Sequence, residues 1–163
     1  MALKTDRSTL QTDISFFMNE AATRGGVAAL NTGGSGSAMD QGVALVTYAA
    51  DASGNIPMGL LLNDMVDIDL TRQHLNQHKD EVQKGGKVTL LQKGFVVTNS
   101  LEGTSPSAGN PAYIGHSGNI ATSRIINDDA DLTGHGQIVG RFLSGVDEDG
   151  YAKVYIDLPN TNK

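Results

Sequence analysis

The sequence contains no cysteine and no tryptophan, and only 5% of its 163 residues are aromatic. Without cysteine, the fold cannot be held by disulfides and cannot bind zinc through thiolates. The core must therefore be filled mainly by aliphatic side chains and backbone. We expect any stability beyond that core to come from close packing or from oligomerisation.

Charge of either sign is also scarce, because charged residues make up 18% of the chain and the formal net charge is −6. Proteins that bind phosphate backbones normally concentrate cations. The one locally basic stretch, residues 72–93, has five cations against two acids, which we interpret as a solvated loop, so we predict no nucleic-acid partner. No run of about 18 apolar residues is present, so we predict no membrane partner. The first residues lack the apolar region of a secretory signal, and we expect synthesis in a cytoplasm.

What the sequence does have is a series of short β-prone segments separated by turn residues. These segments are residues 43–49, 58–62, 65–70, 87–98, 111–115, 120–122, 138–146 and 151–158. The 87–98 segment predicts two strands around residues 92–94, and residues 116–119 predict a hairpin turn. In the last segment Ala152, Val154 and Ile156 share one face, which is typical of a half-buried antiparallel strand.

This pattern predicts an all-β fold, a small antiparallel β-barrel or sandwich. Only residues 71–83 compete as a helix. The glycine- and serine-rich stretch at residues 33–37 marks a boundary, so we predict an N-terminal arm over residues 1–41 and a β domain over residues 42–163.

The arm has two alternative interpretations. Thr12 can cap a short helix in which Ile14, Phe17 and Met18 fall at i, i+3 and i+4. Alternatively the arm is extended and its apolar side chains dock elsewhere. We name Ile14, Phe16, Phe17 and Met18 as candidate partner-contact residues, and the competing interpretation is that the last three pack on their own β domain.

Metal-binding patterns are weak. His74 and His78 are four residues apart, the spacing of a metal pair on a helix, but a site needs a third ligand and we interpret them as polar surface. Two acidic clusters lack the order of a calcium-binding EF-hand loop. These clusters are Asp64, Asp67 and Asp69, and Asp128, Asp129 and Asp131. We predict no metal ion and no cofactor.

Catalytic patterns fail for a similar reason. Ser117 follows His116, but the nucleophile-elbow pattern requires glycine where Asn119 stands. Residues 85–88 (GGKV) resemble the end of a phosphate loop, except that Val88 replaces the required serine or threonine. We predict that the chain is not an enzyme. A small hydrolase or metal-dependent enzyme that uses His116 and Ser117, or the two spaced histidines, is the alternative.

Several segments together resemble the capsid decoration (cement) proteins of tailed bacteriophages. The β cores of that family often have the pattern G-x-V-x-L followed by G-x-V and then G-[DN]-x-A/V-Y. The similar segments of this chain are residues 42–45 (GVAL), 57–60 (PMGL), 84–90 (KGGKVTL), 93–98 (KGFVVT), 109–114 (GNPAYI), 117–120 (SGNI), 136–142 (GQIVGRF) and 149–154 (DGYAKV). The long N-terminal segment departs from a minimal barrel of this kind.

The resemblance implies a structural virion protein that binds the major capsid protein on the capsid exterior, as a homo-oligomer and most simply a homotrimer. A tail or fibre component is the alternative within the virion. A cement protein requires no catalytic group, because many modest contacts across a closed shell gain by avidity.

Overall fold

The structure is a computed structural model, and it describes residues 8–32, 44–64, 68–69, 74–75, 81–103, 105–123 and 136–158. The described residues are nearly all β. This confirms the predicted all-β class. The choice between a barrel and a sandwich stays a prediction.

Fifteen strands are present in the described part of the chain. The first six are β1 (Ser8–Asp13), β2 (Phe16–Met18), β3 (Ala22–Thr23), β4 (Val27–Thr32), β5 (Ala44–Thr47) and β6 (Pro57–Asp64). Next come β7 (Ile68–Asp69), β8 (His74–Leu75), β9 (Glu81–Val82), β10 (Val88–Thr98) and β11 (Leu101–Glu102). The last are β12 (Pro111–Ile114), β13 (Ile120–Ala121), β14 (Ile138–Phe142) and β15 (Ala152–Asp157), with a single 3₁₀ turn, His116–Gly118, before β13.

The long strand β10 organises the main sheet. Its residues 88–91 pair with β6, its residues 93–98 pair with β15, and β1 pairs with residues 90–95. The part of β10 that pairs with β1 includes residues that also pair with β6 and residues that also pair with β15. A strand has only two edges, so β1 lies along one edge of β10. Strands β6 and β15 lie one after the other along the opposite edge. The sheet therefore divides at β10 into two groups of strands.

We call these groups the first and second branches. The first branch runs β6–β4–β5–β2, and the second runs β15–β14–β12–β13–β11. At the end of the first branch, β2 returns to the start of β10, where the Met18 N–H donates to the Gly86 carbonyl at 2.9 Å and the Gly85 N–H donates to the Met18 carbonyl at 2.7 Å. Short sheets formed by β3 with β9 and by β7 with β8 complete the described pairing.

Two clusters of buried side chains form the core, and the first branch separates them. On β6, Leu60 belongs to the cluster shared with the second branch, whereas Leu61 belongs to the cluster that contains β2 and β5. On β4, Val27 belongs to the cluster shared with the second branch, and Ala28 belongs to the cluster that contains β2 and β5. Both faces of these strands are therefore buried, because successive side chains of a strand point to opposite faces.

On the second branch the alternation predicted for residues 151–158 is confirmed. Ala152, Val154 and Ile156 are buried, whereas Lys153 and Tyr155 between them are half-buried. The inward side chains join the cluster shared with the first branch. The outward side chains form an accessible sheet face.

Three expectations about local structure are wrong. The helical alternative for the residues after Thr12 is wrong, because Phe16–Met18 form strand β2, which has a buried–intermediate–buried pattern and pairs in parallel with β5. Within residues 71–83, the described parts are strands β8 and β9 rather than helix. Residues 87–98 form one strand, because Gly94 pairs with both Thr9 and Ile156 and continues the ladder. In each case, pairing with a strand that is distant in sequence overrides the local secondary-structure propensity.

The described part of the predicted arm is part of the main sheet. Strands β1, β2 and β4 pair with β10, β5 and β6, and Val27 and Ala28 are fully buried. The glycine- and serine-rich stretch that marked the predicted boundary lies outside the described residues. Residues 8–32 are therefore extended and packed, as in the second interpretation of the arm.

Candidate partner-binding face

The accessible face of β10 and β15 carries charged and aromatic side chains that contact each other across the two strands. Lys93 faces Asp157, with Nζ 3.2 Å from Oδ1, and Phe95 faces Tyr155, with ring centroids 5.0 Å apart and planes tilted by 47°. Lys153 places its Nζ 5.7 Å from the centre of the Phe95 ring. The ammonium group is attracted to the ring face, which fixes the relative positions of these side chains.

Strand β14 extends this face, because Arg141 is the register partner of Tyr155. Directly paired residues of an antiparallel ladder point to the same side of the sheet. We call Lys93, Phe95, Arg141, Lys153 and Tyr155 the aromatic–basic strip. Its cations are part of a chain with a net charge of −6, so the strip is a local departure from the overall charge.

The strip contains three residue types that are enriched in protein interfaces. Tyrosine, phenylalanine and arginine are enriched in the buried centres of interfaces, where rigid rings give large contact areas. Arg141 is exposed, and Lys93 keeps 43% of its side chain accessible. A partner that meets this face with carboxylates and apolar groups would find both kinds of contact.

The turn between β14 and β15 is acidic and rigidly built. Asp147 Oδ1 accepts hydrogen bonds from the backbone N–H groups of Asp149 at 3.0 Å and Tyr151 at 2.8 Å. The Asp147 N–H donates to the Tyr151 carbonyl at 2.8 Å, and the Gly150 N–H donates to the Asp147 carbonyl at 3.0 Å. Asp147, Glu148 and Asp149 are all exposed. We call these three residues the acidic turn.

The four candidate contact residues near the N-terminus divide between core and surface. Phe16 is 8% exposed and Met18 is fully buried, and both belong to the core cluster on the β2 side. Phe17 is half-buried beneath Lys87, whose Nζ lies 5.7 Å from its ring centre, and Ile14 is exposed. The structure thus places Phe16 and Met18 inside the chain's own core. Partner contact through Ile14 and Phe17 stays a prediction.

His116 and Ser117 lie at a corner that joins the two branches. The Ser117 N–H donates to the Ala49 carbonyl at 2.7 Å, and His116 Nδ1 accepts the Ala52 N–H at 3.2 Å. The His116 N–H donates to the Glu102 carboxylate at 2.7 Å. The Ala52 amide occupies Nδ1, and Asp51 Oδ1 lies 3.8 Å from the same nitrogen. These three hydrogen bonds hold the corner together.

Tyr48 packs on the same corner from the first branch. Its hydroxyl donates to the Thr23 carbonyl at 2.6 Å and accepts the Gly26 N–H at 3.1 Å. Burial, together with the nearby Glu20 carboxylate, raises the pKa of the Tyr48 hydroxyl, although the Gly26 hydrogen bond acts in the opposite direction. The ring lies so close to Gly118 that a Cβ there would be 2.6 Å from ring carbons. Tyr48 is therefore a neutral structural wedge between the branches.

The predicted metal-ligand patterns are only partly within the described residues. His74 lies on β8, whereas His78, Asp67 and the acidic cluster at residues 128–131 lie outside the described residues. Among the residues that the structure describes, no group of three or more metal-ligating side chains comes together. That part of the chain also has no helix of the length and apolar character needed to cross a membrane.

Sequence reasoning missed the aromatic–basic strip. It recognised the outward alternation of residues 151–158, but it divided residues 87–98 into two strands and so did not align Phe95 with Tyr155. The register that pairs Lys93 with Asp157 depends on contacts between residues 64 positions apart. The sequence signal for this strip is the presence of aromatic and basic residues at alternate positions in two segments, residues 87–98 and 151–158.

Comparison with known proteins gives no family whose sequence model matches this chain and no curated protein that is similar to it.

Proposed function

We propose that this chain is a structural protein of a tailed-bacteriophage virion, a decoration protein that binds and reinforces the outer surface of the capsid. One observation carries the proposal. Most segments that resemble the decoration family lie on β10, β12, β14 and β15, and these four are consecutive neighbours in the sheet order β12–β14–β15–β10. The other similar segments reach β5, β6 and β13 of the same sheet, so the resemblance falls mainly on strands rather than on scattered loops.

The architecture suits a reinforcing role. Burial of β4 and β6 on both faces makes the first branch rigid, and the second branch leaves one sheet face accessible for contact. Each contact to the major capsid protein can be modest, because a closed shell engages many copies at once. The proposed protein acts without a cofactor, is not an enzyme, and binds as a homo-oligomer, with a trimer expected.

The test compares purified particles that have the chain with particles from a phage in which its gene is deleted. We expect the chain in wild-type particles and earlier release of DNA on heating when it is missing. Adding the purified protein to deficient particles should restore heat stability, whereas an unrelated acidic protein of similar size should not. Absence of the chain from purified particles would contradict the proposal.

A further inference from the structure

We propose that His116 is a proton-operated latch that holds the turn after β5 on the corner between the two branches. This turn consists of residues 50–56, and we call it the latch turn. A neutral His116 side chain holds Ala52, whereas a protonated one releases Ala52 and pairs with Asp51. The proposal concerns the free chain, so it can succeed or fail independently of capsid binding.

The closed form of the latch requires a neutral imidazole. The Ala52 N–H donates to His116 Nδ1 at 3.2 Å, and a histidine nitrogen accepts a hydrogen bond only while it carries no proton. The ring proton of the neutral side chain is therefore on Nε2. Ala52 is fully buried and belongs to the core cluster that the first branch shares with the second. An N–H group in such a place needs an acceptor.

A protonated imidazole cannot make the same contact. Its Nδ1 carries a hydrogen, so the Nδ1–H and Ala52 N–H groups would face each other as two donors. Asp51 Oδ1 lies 3.8 Å from this nitrogen and can accept its hydrogen bond after a small movement of the latch turn. His116 keeps 33% of its side chain accessible, so a proton can reach the ring from solvent. The charge of one nitrogen therefore selects between two partners.

Two carboxylates and a tyrosine belong to the segments that contact this 3₁₀ turn. Besides Asp51, Glu102 of β11 contributes a carboxylate, which accepts the His116 backbone N–H at 2.7 Å. Tyr48 lies against Gly118, and its buried hydroxyl is neutral. Strand β4 also packs against the turn, and its residues 27–32 (VAALNT) include no titratable side chain. Asp51 is thus the charged side chain that meets the ring at Nδ1.

The backbone of the 3₁₀ turn is fixed by hydrogen bonds that do not involve the imidazole. The Ser117 N–H donates to the Ala49 carbonyl at 2.7 Å, and the Asn119 N–H donates to the His116 carbonyl at 3.0 Å. The carboxylate of β11 holds the His116 N–H in the same way. Protonation therefore changes what the ring binds, while these bonds keep the 3₁₀ turn in place.

The latch turn can leave the corner with little loss of packing. Among its residues, all of which the structure describes, only Ala52 is buried. Exposing one alanine side chain loses little apolar burial, and the released N–H reaches water. The turn also has internal bonds that do not depend on His116, because the Ser53 N–H donates to Asp51 Oδ1 at 2.9 Å and Asn55 Nδ2 donates to the Asp51 carbonyl. We therefore expect it to move as a unit.

Hydrogen exchange of the full-length protein at pH ~8 and pH ~5.5 measures the latch directly. The quantity is the protection factor of each N–H, which compares the folded chain with the unfolded chain at the same pH and so removes the ordinary effect of pH on exchange. We expect the Ala52 N–H to lose at least about tenfold in protection at the lower pH. The Leu158 N–H, which donates to the Gln92 carbonyl at 2.8 Å, should keep its protection.

Substitutions of His116 separate the acceptor from the proton. His116→Asn offers Ala52 a carbonyl oxygen that gains no proton in this range, so Ala52 should stay protected at both pH values. His116→Phe removes the acceptor, so Ala52 should be weakly protected at both. The matched control His74→Asn changes a histidine on β8 and should respond to pH like the wild type. Thermal melting checks that each variant is folded.

Four results would overturn the proposal. The first is a neutral His116 whose proton is on Nδ1 in nitrogen NMR spectra of the wild-type chain. The second is equal protection of Ala52 at the two pH values, and the third is a folded His116→Asn chain that keeps the wild-type response. The fourth is a parallel loss of protection at Leu158, because the whole fold would then open rather than the latch turn.

Discussion

The two branches of the sheet use the same strand, β10, in different ways. On β4 and β6 of the first branch both faces are covered, so Leu60 and Leu61 on β6 are both fully buried although they point in opposite directions. In the second branch only one face is covered, so on β15 the buried Ile156 alternates with the half-buried Tyr155. The first branch contributes strands that are buried on both faces, and the second leaves a charged and aromatic face accessible.

This difference indicates which positions can be substituted with little loss of stability. A substitution on a doubly buried strand affects one core cluster or the other, whereas an outward residue of the second branch touches few packed neighbours. Binding residues are therefore expected on the second branch, and stability is expected to depend most on the first. Four predictions test this division, in order of decreasing effect.

The largest effect should come from removing the N-terminal strands of the first branch. Deleting residues 1–32 removes β2 and β4 together with Val27, Ala28 and Ala29, which are fully buried. We expect loss of cooperative thermal unfolding. A matched deletion of residues 1–14 removes β1 but leaves β2 and should still unfold cooperatively. A folded 33–163 fragment would show that the first branch is not essential to the core.

Alanine substitutions on β6 and β15 compare the two kinds of strand directly. Leu60→Ala and Leu61→Ala should each lower the free energy of unfolding by about 2–5 kcal/mol, because each leaves a cavity in a core cluster. On β15, Ile156→Ala should cost a similar amount, whereas Tyr155→Ala should cost about 1 kcal/mol through loss of its contact with Phe95. Denaturant titration measures all four variants. Equal losses at both β15 positions would contradict the division.

Glycine substitutions probe the corner where the branches meet. Gly118 has φ of +79° and Gly150 has φ of +83°, so alanine is strained at both positions. A Cβ at Gly118 would lie 2.6 Å from the Tyr48 ring, whereas a Cβ at Gly150 meets nothing within 4 Å. Gly150→Ala should cost about 1 kcal/mol and Gly118→Ala about 1–3 kcal/mol more, as measured by denaturant titration. Equal costs would mean that Tyr48 does not wedge the corner tightly.

Because of Tyr48, which packs at the same corner, we expect the free energy of unfolding to fall at alkaline pH. The buried hydroxyl keeps Tyr48 neutral in the folded chain, whereas in the unfolded chain it ionises near the ordinary tyrosine pKa of about 10. Its contribution to stability is therefore complete below pH ~10 and declines above it, by up to about 1.4 kcal/mol per pH unit. Unfolding measured from pH 9 upward should show a smaller slope for Tyr48→Phe. Identical slopes would contradict the assignment.

The sequence predicted the second branch better than the first. Outward and inward positions of residues 151–158 follow a regular alternation, and the turn at residues 147–150 has a glycine at its end, so local pattern was sufficient there. On β4 and β6, burial on both faces removes the alternation that identifies a strand. Residues 14–18 resemble one turn of an amphipathic helix because Ile14, Phe17 and Met18 have helical spacing, and only the pairing of Phe16–Met18 with β5 makes them a strand.

The candidate site was less accessible to prediction for a related reason. Local signals identify which residues face outward, but not which outward residues become neighbours. Phe95 and Tyr155 are 60 positions apart, and the β10–β15 register brings their rings to 5.0 Å. Spacing along the chain draws attention to histidines and acids that are close in sequence, and it does not reveal this pair.

The most direct test of the proposed role is the number of copies of this chain in a purified particle, measured by quantitative mass spectrometry against the major capsid protein. We expect a copy number comparable to that of the capsid protein, since a reinforcing protein must occupy repeated sites over the whole shell. A few copies per particle would indicate a tail or fibre component. That result, or absence of the chain from the particle, would contradict a role in capsid reinforcement.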